Sequence, residues 1–245
     1  IGDLRNAASN AVKLVMEQNG DPKNPRVRVA LVPYADAVNV DGLAADTVFV
    51  EEEPSNGNPN PPDLPPAIDA PIAASAASRI DKCATERKLA NGAADFSDDS
   101  PYALRRNGQG KDYMAKVNRD DRLTRYDGVA FCPTAKLVPL TADKDRLLAS
   151  IGAYKADGVT AGAVGIQWTY YMLSPKWRSP IVNAALGTGP ADYGAKKTSK
   201  VAILMTDGQF NTAYAGVKRG TAVRVGDAAG KKSRSHAESL CDNMK

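Results

Sequence analysis

Apolar and polar residues follow two different periods along this chain, and each period predicts one kind of element. Over residues 3–18 apolar side chains return every three or four positions, which predicts an amphipathic helix that ends before Gly20. Residues 27–32 alternate at first and then become continuously apolar, which is typical of a mostly buried strand. Val38 and Val40 indicate a return strand or an extension of the same strand.

Similar signals return after residue 131. The segment "AKLVPL" at 135–140 predicts a short strand, and Thr141 or Asp143 can cap the helix that follows it. A second helix, predicted at about 162–173, is apolar nearly all round, so we expect it to be buried. Its aromatic residues are expected to pack in the core: Trp168, Tyr170 and Tyr171.

The pattern predicts two further elements near the C-terminus. Five apolar residues from Val201 to Met205 predict a strand at 200–205, and a terminal helix is predicted from about Ser235. Helices and strands therefore alternate along the chain, which predicts an α/β domain with a largely parallel sheet. Ligands of such sheets bind beyond the carboxyl ends of strands, which is where Asp207 would lie.

Residues 44–131 interrupt this alternation. Their first part is too rich in proline for a helix or a central strand, and the remainder is polar. We therefore divide the chain into an N-terminal part at 1–43, an insertion with little regular structure at 44–131, and a C-terminal part at 132–245. Four aromatic residues are expected to pack the insertion: Phe96, Tyr102, Tyr113 and Tyr126. The paired acids of the insertion lack calcium-loop spacing and are expected to be solvated: Asp98 with Asp99, and Asp120 with Asp121.

The cysteines suggest a crosslink across the insertion. Cys83 and Cys132 bracket most of it, and a bridge between them would close a loop of roughly 50 residues, worth about 4 kcal/mol on the chain-entropy model. The alternative is a pair of buried free thiols, and we favour the disulfide. Cys241 is left without a partner, and a zinc site is disfavoured because there is no CxxC and His236 is the single histidine.

Composition narrows the possible functions. A hydrophobic content of 43% is enough for an ordinary core, and a net charge of +4 is too small to argue for nucleic acid. Neither GxGxxG nor GxxxxGK[ST] is present, and His236 lies in a polar stretch, where we expect an exposed helix-start residue rather than a catalytic one. We expect no enzyme and no small-molecule substrate. No signal peptide is visible, but a helical pattern begins almost at Ile1 without an initiating Met, so we interpret the chain as part of a longer protein.

Two oxygen-bearing residues are candidates for a cation site. Asp207 directly follows an apolar run, and a charge there must be solvated, paired or bound to a cation. A turn is the simpler interpretation, because Asp-Gly is a common turn dipeptide. Thr160 precedes the second predicted helix, where it could act as an N-cap. A hydroxyl and a carboxylate brought together at one sheet edge would instead suit Mg²⁺, which prefers oxygen ligands.

Three segments carry a family resemblance: "VRVALVPYADAVNV", "DGVTAGAVGIQWTYYMLSPKW" and "AILMTDGQFN". Together they resemble a von Willebrand factor type A domain, and more narrowly the version found in TadG-like proteins of bacterial tight-adherence (Flp) pilus assembly. The resemblance covers roughly 1–43 and 132–245. It implies a doubly wound, Rossmann-like, mostly parallel sheet. It also implies that the central first strand of that sheet, and its last strand, lie outside residues 1–245.

The resemblance further implies a metal-ion-dependent adhesion site built from three loops. Thr160 matches the ligand of the second loop and Asp207 that of the third, while the first loop, Asp-x-Ser-x-Ser, would lie just before Ile1. The site of the intact parent would hold Mg²⁺ (or Mn²⁺ or Ca²⁺), and it would be incomplete in this chain. A protein partner would bind through an acidic residue that the metal bridges.

The location implied is the periplasm or the surface of a bacterium, with the parent anchored in the inner membrane. An oxidising envelope compartment also suits a protein with a disulfide. The expected function is therefore a cell-envelope adhesion module of a pilus assembly protein. The alternative that we keep is a structural scaffold of the bacterial envelope that works without metal.

Overall fold

The architecture is taken from a computed structural model, which describes residues 1–21, 23–51, 82–124, 132–156, 158–206, 208–217 and 225–245. The α-helices of these residues are α1 (Gly2–Met16), α2 (Ala44–Thr47), α3 (Lys144–Gly152), α4 (Gly162–Leu173), α5 (Arg178–Asn183) and α6 (Asp227–Asn243). Short 3₁₀ turns lie at Asp41–Leu43, Asp121–Thr124 and Pro175–Trp177. The strands are β1 (Val29–Leu31), β2 (Val38–Asn39), β3 (Val48–Val50), β4 (Cys83–Ala84), β5 (Leu104–Arg106), β6 (Asp112–Met114), β7 (Val117–Arg119) and β8 (Val138–Thr141).

The described strands pair two by two. β1 pairs with β8, β2 with β4, and β5 with β6, all antiparallel, whereas β3 and β7 run parallel. The mixed α/β class expected from the sequence is confirmed. The pairing within the described residues is nevertheless mostly antiparallel, where the sequence predicted a largely parallel sheet.

The strand predicted at 200–205 does not form in the described structure. Residues 201–206 belong to no helix or strand, and within the part of the chain that is described they make no backbone hydrogen bond. Val201 and Ile203 are 72% and 68% exposed. The prediction failed because an apolar run becomes a strand only where a neighbouring backbone supplies the ladder. The terminal helix also differs from its prediction, since α6 begins at Asp227, eight positions before Ser235.

Helix α4 lies at the centre of the largest apolar cluster, as its all-round apolar pattern predicted. Trp168 and Tyr171 are fully buried there, and the Tyr171 ring stacks on Trp177 with ring centroids 4.0 Å apart. The polar Gln167 of the same helix is also buried. Its amide donates to the Asp95 carbonyl at 2.6 Å and accepts from the Arg87 backbone at 2.9 Å. These bonds tie the insertion to the core.

A second layer is formed by α1 and α3, which pack together over β1 and β8. The carboxylate of Asp143 caps α3 by accepting from the Arg146 amide at 2.9 Å, so one of the two predicted caps is used. Val12 of α1 and the α3 residues Leu147 and Ile151 are buried in this layer. The helices and the strand predicted around this layer are therefore present, within a few residues of their predicted bounds.

The insertion contains more order than the sequence suggested. It contributes the pairs β3–β7 and β5–β6, and its described part holds buried ion pairs beside apolar residues, such as Val48 and Val117, that join the largest apolar cluster. Of the predicted packing residues, Tyr113 is buried and Phe96 is partly buried against α6, while Tyr126 lies outside the described residues. The structure has a disulfide between Cys83 and Cys132, the pairing that the sequence favoured.

Two of the acids expected at the surface of the insertion are buried. Asp120 has no exposed surface and pairs with Lys88 and Arg122, and Asp98 accepts from the Ser174 hydroxyl at 2.6 Å. Burial by itself would raise the pKa of Asp98, but its hydrogen bonds from Ser174, Tyr193 and Lys176 outweigh this and lower it. The prediction of solvated acids was wrong at these positions, because Lys88 and Ser174, which bind them in the interior, lie 32 and 76 positions away in sequence.

Candidate metal centre

Three loops meet where α4 begins. The loop after β1 is joined to the loop between α3 and α4, because the Ala161 amide donates a hydrogen bond to the Ala35 carbonyl at 2.8 Å. The loop after residue 206 joins them through the Asn211 amide, which donates to the Thr160 carbonyl at 3.1 Å. The first of these loops follows strand β1, and ligands of α/β proteins usually bind beyond the carboxyl ends of strands.

Thr160 lies at this meeting point and is half-buried. Its hydroxyl makes no hydrogen bond to any residue that the structure describes, although the backbone on both sides of it is bonded. The side chain therefore does not act as an N-cap; α4 begins after Ala161 and has no side-chain cap. A hydroxyl that makes no bond to the described residues around it can donate to or accept from a ligand at this junction.

The loop that carries position 207 passes directly beside this hydroxyl. A Cβ added at Gly208 would lie 3.2 Å from the Thr160 Oγ1 atom. Asp207 itself lies outside the described residues. The structure thus places Gly208 beside Thr160, and it describes the side chain of one of the two predicted ligands.

Two residues that the sequence analysis did not single out hold the junction together. The Asn211 side-chain oxygen accepts from the Thr160 amide at 2.9 Å and from the Thr212 hydroxyl at 2.8 Å. The buried Asp36 carboxylate accepts from the Val159 amide at 2.8 Å. Both use their oxygens to orient the backbone of the Thr160 loop. The signal in the sequence was weak: each is one short polar residue in a loop, a position that also fits an ordinary turn.

Close packing fixes the third loop against α4. A Cβ on Gly162 would lie 2.1 Å from the Phe210 ring, and one on Gly230 would lie 2.4 Å from the Phe210 carbonyl oxygen. The missing side chains let Phe210 lie between α4 and α6 and let its neighbour Asn211 reach the Thr160 amide.

The chemistry available at the junction fits a hard cation in part. Mg²⁺ prefers hydroxyl, carboxylate and water oxygens in near-octahedral geometry, and Thr160 supplies one such oxygen. The Asp36 carboxylate is already committed to the Val159 amide. Any further ligands come from outside the described side chains at this junction.

His236 is buried in the middle of α6, which contradicts its predicted exposure. Its Nδ1 atom lies 2.9 Å from Oε1 of Glu86, and the other oxygen of Glu86 accepts from the Ala215 amide at 2.9 Å. The Phe96 ring packs beside the imidazole. His236 therefore joins α6 to the insertion, and the polar sequence around it misled the prediction because its partner is 150 residues away.

Within the described part of the chain, no helix is both long and apolar enough to span a bilayer. Comparisons of the chain with protein-family models, with curated proteins and with solved structures found no match.

Proposed function

We propose that this chain is part of a protein-binding module of the von Willebrand factor type A class, from a bacterial tight-adherence pilus assembly protein. Its partner contact runs through a divalent cation, Mg²⁺ in the first place, bound at Thr160 and Asp207. The observation that carries the proposal is the Thr160 hydroxyl, which makes no hydrogen bond to a described residue and lies beside Gly208. A partner carboxylate would complete the coordination of the metal.

The arrangement of the surrounding elements supports the doubly wound fold of that class. α1, β1, β8, α3 and α4 follow one another in the order that the resemblance implies. The Thr160 loop meets the loop that follows strand β1, and ligand sites of open α/β sheets lie beyond the carboxyl ends of strands. The Cys83–Cys132 disulfide supports a location in the periplasm or at the cell surface, where disulfides persist.

Binding of Mn²⁺, a paramagnetic substitute for Mg²⁺, tests the metal site directly. In ¹⁵N-labelled protein, added Mn²⁺ should broaden the amide signals of Thr160 and Gly208 first, since paramagnetic broadening falls steeply with distance. Asp207→Ala and Thr160→Ala should each abolish this selective broadening. The matched control Asp145→Ala removes an exposed carboxylate from α3 and should leave it unchanged. Equal broadening in all of these variants, or broadening centred elsewhere, would refute the proposed site.

The second candidate function is that of an envelope scaffold that works without metal. The crosslinks within the insertion favour this function. A disulfide and a set of buried ion pairs rigidify residues 82–124, which the adhesion chemistry does not require. The scaffold predicts that Thr160→Ala and Asp207→Ala leave piliation by the parent protein intact, whereas loss of Cys83 or Cys132 impairs it. The adhesion module predicts loss of piliation in both metal-site variants.

A further inference from the structure

Four charged side chains of the insertion meet in its interior. Glu51 and Asp120 each directly follow a strand, β3 and β7, and these strands run parallel, so both carboxylates lie at the same end of the pair. Lys88 lies between them, and Arg122 lies against Asp120. All four residues are buried. A primary amine is thus enclosed with two carboxylates in a largely dry interior.

The amine of Lys88 and the carboxyl of Asp120 are held in contact from both sides. Nζ of Lys88 touches Oδ2 of Asp120 and lies 2.6 Å from Oε1 of Glu51. The Lys88 amide donates to the Asn118 side-chain oxygen at 2.8 Å, and the Asp120 amide donates to the Thr85 hydroxyl at 3.2 Å. Because the surrounding backbone fixes both groups, most of the entropic cost of bringing them together is already met by folding.

Arg122 prepares the Asp120 carboxyl for attack by a nucleophile. Its Nε atom and its backbone amide donate to Oδ1 at 2.7 and 2.9 Å, and its Nη2 atom donates to Oδ2 at 2.6 Å. Two donors at these distances on one oxygen have the geometry of an oxyanion hole, which stabilises the negative oxygen of a tetrahedral intermediate. The guanidinium also offsets the negative charge that makes a carboxylate a poor electrophile. Asp120 is therefore the carboxyl at which an amide can form.

Glu51 lies where a general base is needed. It accepts from Nζ of Lys88 at 2.6 Å and from the Asn118 side-chain amide at 2.9 Å, so its position is fixed. Burial would lower the pKa of Lys88, but Asp120 and Glu51 outweigh burial and raise it. The amine is therefore an ammonium that must lose a proton before it attacks. An acceptor in direct hydrogen-bond contact meets the geometric requirement for that transfer.

We propose that Lys88 and Asp120 condense to an intramolecular amide, with Glu51 as the general base. A bond forms between Nζ of Lys88 and Cγ of Asp120, and the bond between Cγ and Oδ2 breaks. Of the three ammonium protons, one stays on the amide nitrogen, one passes directly to Oδ2, and one reaches Oδ2 through Glu51. Oδ2 leaves as water, and Glu51 ends as a carboxylate again. The step consumes no oxidant and no other reactant.

The charge balance of the interior favours the product. Two cations and two anions are buried before condensation, and Arg122 and Glu51 remain afterwards, so the charges still balance and fewer of them are kept from water. The amide would join positions 32 apart, inside the loop closed by the disulfide between Cys83 and Cys132. Reductants would open the disulfide and leave the amide intact. Molecules that have not condensed keep the ion pairs described above.

Mass measurement of the intact chain tests the condensation. The folded chain is kept at neutral pH with EDTA, so that the cation site plays no part, and samples taken over days are reduced, denatured and weighed. We expect a species lighter by one water to accumulate. Its digest should contain a branched peptide that joins Lys88 to Asp120, and trypsin should no longer cleave after Lys88. If neither the lighter species nor the branched peptide appears, the proposal is overturned and the cluster is a set of ion pairs only.

Substitutions assign the role of each group. Lys88→Arg keeps the positive charge without the amine nucleophile and should abolish the mass loss. Glu51→Gln keeps the shape and removes the base, so it should slow the mass loss by about a hundredfold or more. The matched control is Lys82→Arg, which changes an exposed lysine whose amine pairs with Asp41 at 3.1 Å, and it should leave the rate unchanged. Equal rates for the wild type and Glu51→Gln would contradict the proposed mechanism.

Other routes to the same mass loss are distinguished by the peptide that carries it. A succinimide at an Asp-Gly pair, such as Asp157-Gly158, also loses one water, but it persists in Lys88→Arg and gives no branched peptide. An amide from Lys88 to Glu51 would place Glu51 in the branch. Either of these products in place of the branch between Lys88 and Asp120 would overturn the assignment.

Discussion

The most strongly constrained charge in the insertion is Asp120. Its carboxylate pairs with Lys88 and accepts from Arg122 three times, from the backbone amide at 2.9 Å, from Nε at 2.7 Å and from Nη2 at 2.6 Å. Lys88 also bonds to Glu51 at 2.6 Å, and all four side chains are buried. Two cations and two anions thus balance one another in a space from which water is largely excluded.

The substitution Asp120→Asn keeps the shape of this side chain and removes its charge. Lys88 and Arg122 would then lose the carboxylate that both of them bind, which leaves buried positive charge less well compensated. Breaking a buried ion pair by removing one partner costs about 3–5 kcal/mol. Asn retains one acceptor oxygen, so we expect about 3 kcal/mol. For a chain of this size that corresponds to a fall in melting temperature of about 6–12 °C.

Thermal and urea denaturation followed by circular dichroism measure this loss. The matched control is Asp112→Asn, which breaks an exposed ion pair with Arg106 in the same insertion and should have no measurable effect. Adding Lys88→Met to Asp120→Asn restores the charge balance, so the double variant should lose less stability than the sum of the single losses, by more than about 1 kcal/mol. A loss below about 1 kcal/mol for Asp120→Asn, or strict additivity, would refute the description of these residues as a coupled buried set.

The same residues give a signed pH dependence. Burial would raise the pKa of Asp120, but Lys88 and Arg122 outweigh it and hold the pKa well below its usual range. A carboxyl whose pKa is lowered on folding contributes its full stability above its unfolded value, near 3.9, and loses it as the pH falls through the folded value. The difference in unfolding free energy between wild type and Asp120→Asn should therefore stay constant from pH 7 to about pH 5 and shrink only below about pH 4. A difference that fell between pH 7 and pH 5 would contradict this assignment.

Two further stability predictions follow from the covalent and steric constraints. Replacing Cys83 and Cys132 together by Ala opens a loop with a sequence separation of 49 and should cost up to about 4 kcal/mol in urea denaturation, and a loss below about 1 kcal/mol would contradict this. Gly165→Ala should destabilise by about 1–3 kcal/mol, because the added Cβ would lie 2.5 Å from the Tyr34 ring. The control Gly152→Ala, where no atom lies within 4 Å of the added Cβ, should be neutral or stabilising, and a loss equal to that of Gly165→Ala would refute the steric explanation.

Elements whose stability is decided locally could be predicted from the sequence. The predicted bounds of α4 agree with Gly162–Leu173, because an all-round apolar pattern starts after Gly158 and the Ser174-Pro175 pair prevents its continuation. The N-cap of α3 is Asp143, one of the two residues that the sequence offered, Thr141 or Asp143. It could be predicted because a cap depends only on residues three positions apart.

Features that depend on distant partners could not be predicted in the same way. The apolar run at 201–205 has every sequence property of a buried strand, yet its state is decided by which backbone lies beside it. His236 and Asp120 were expected in solvent because they are polar. Their burial is stable only because Glu86 and Lys88, 150 and 32 positions away, neutralise or bond them. The same limit applies to the candidate site, where Thr160 was predicted and Asn211, which orients its backbone, was not.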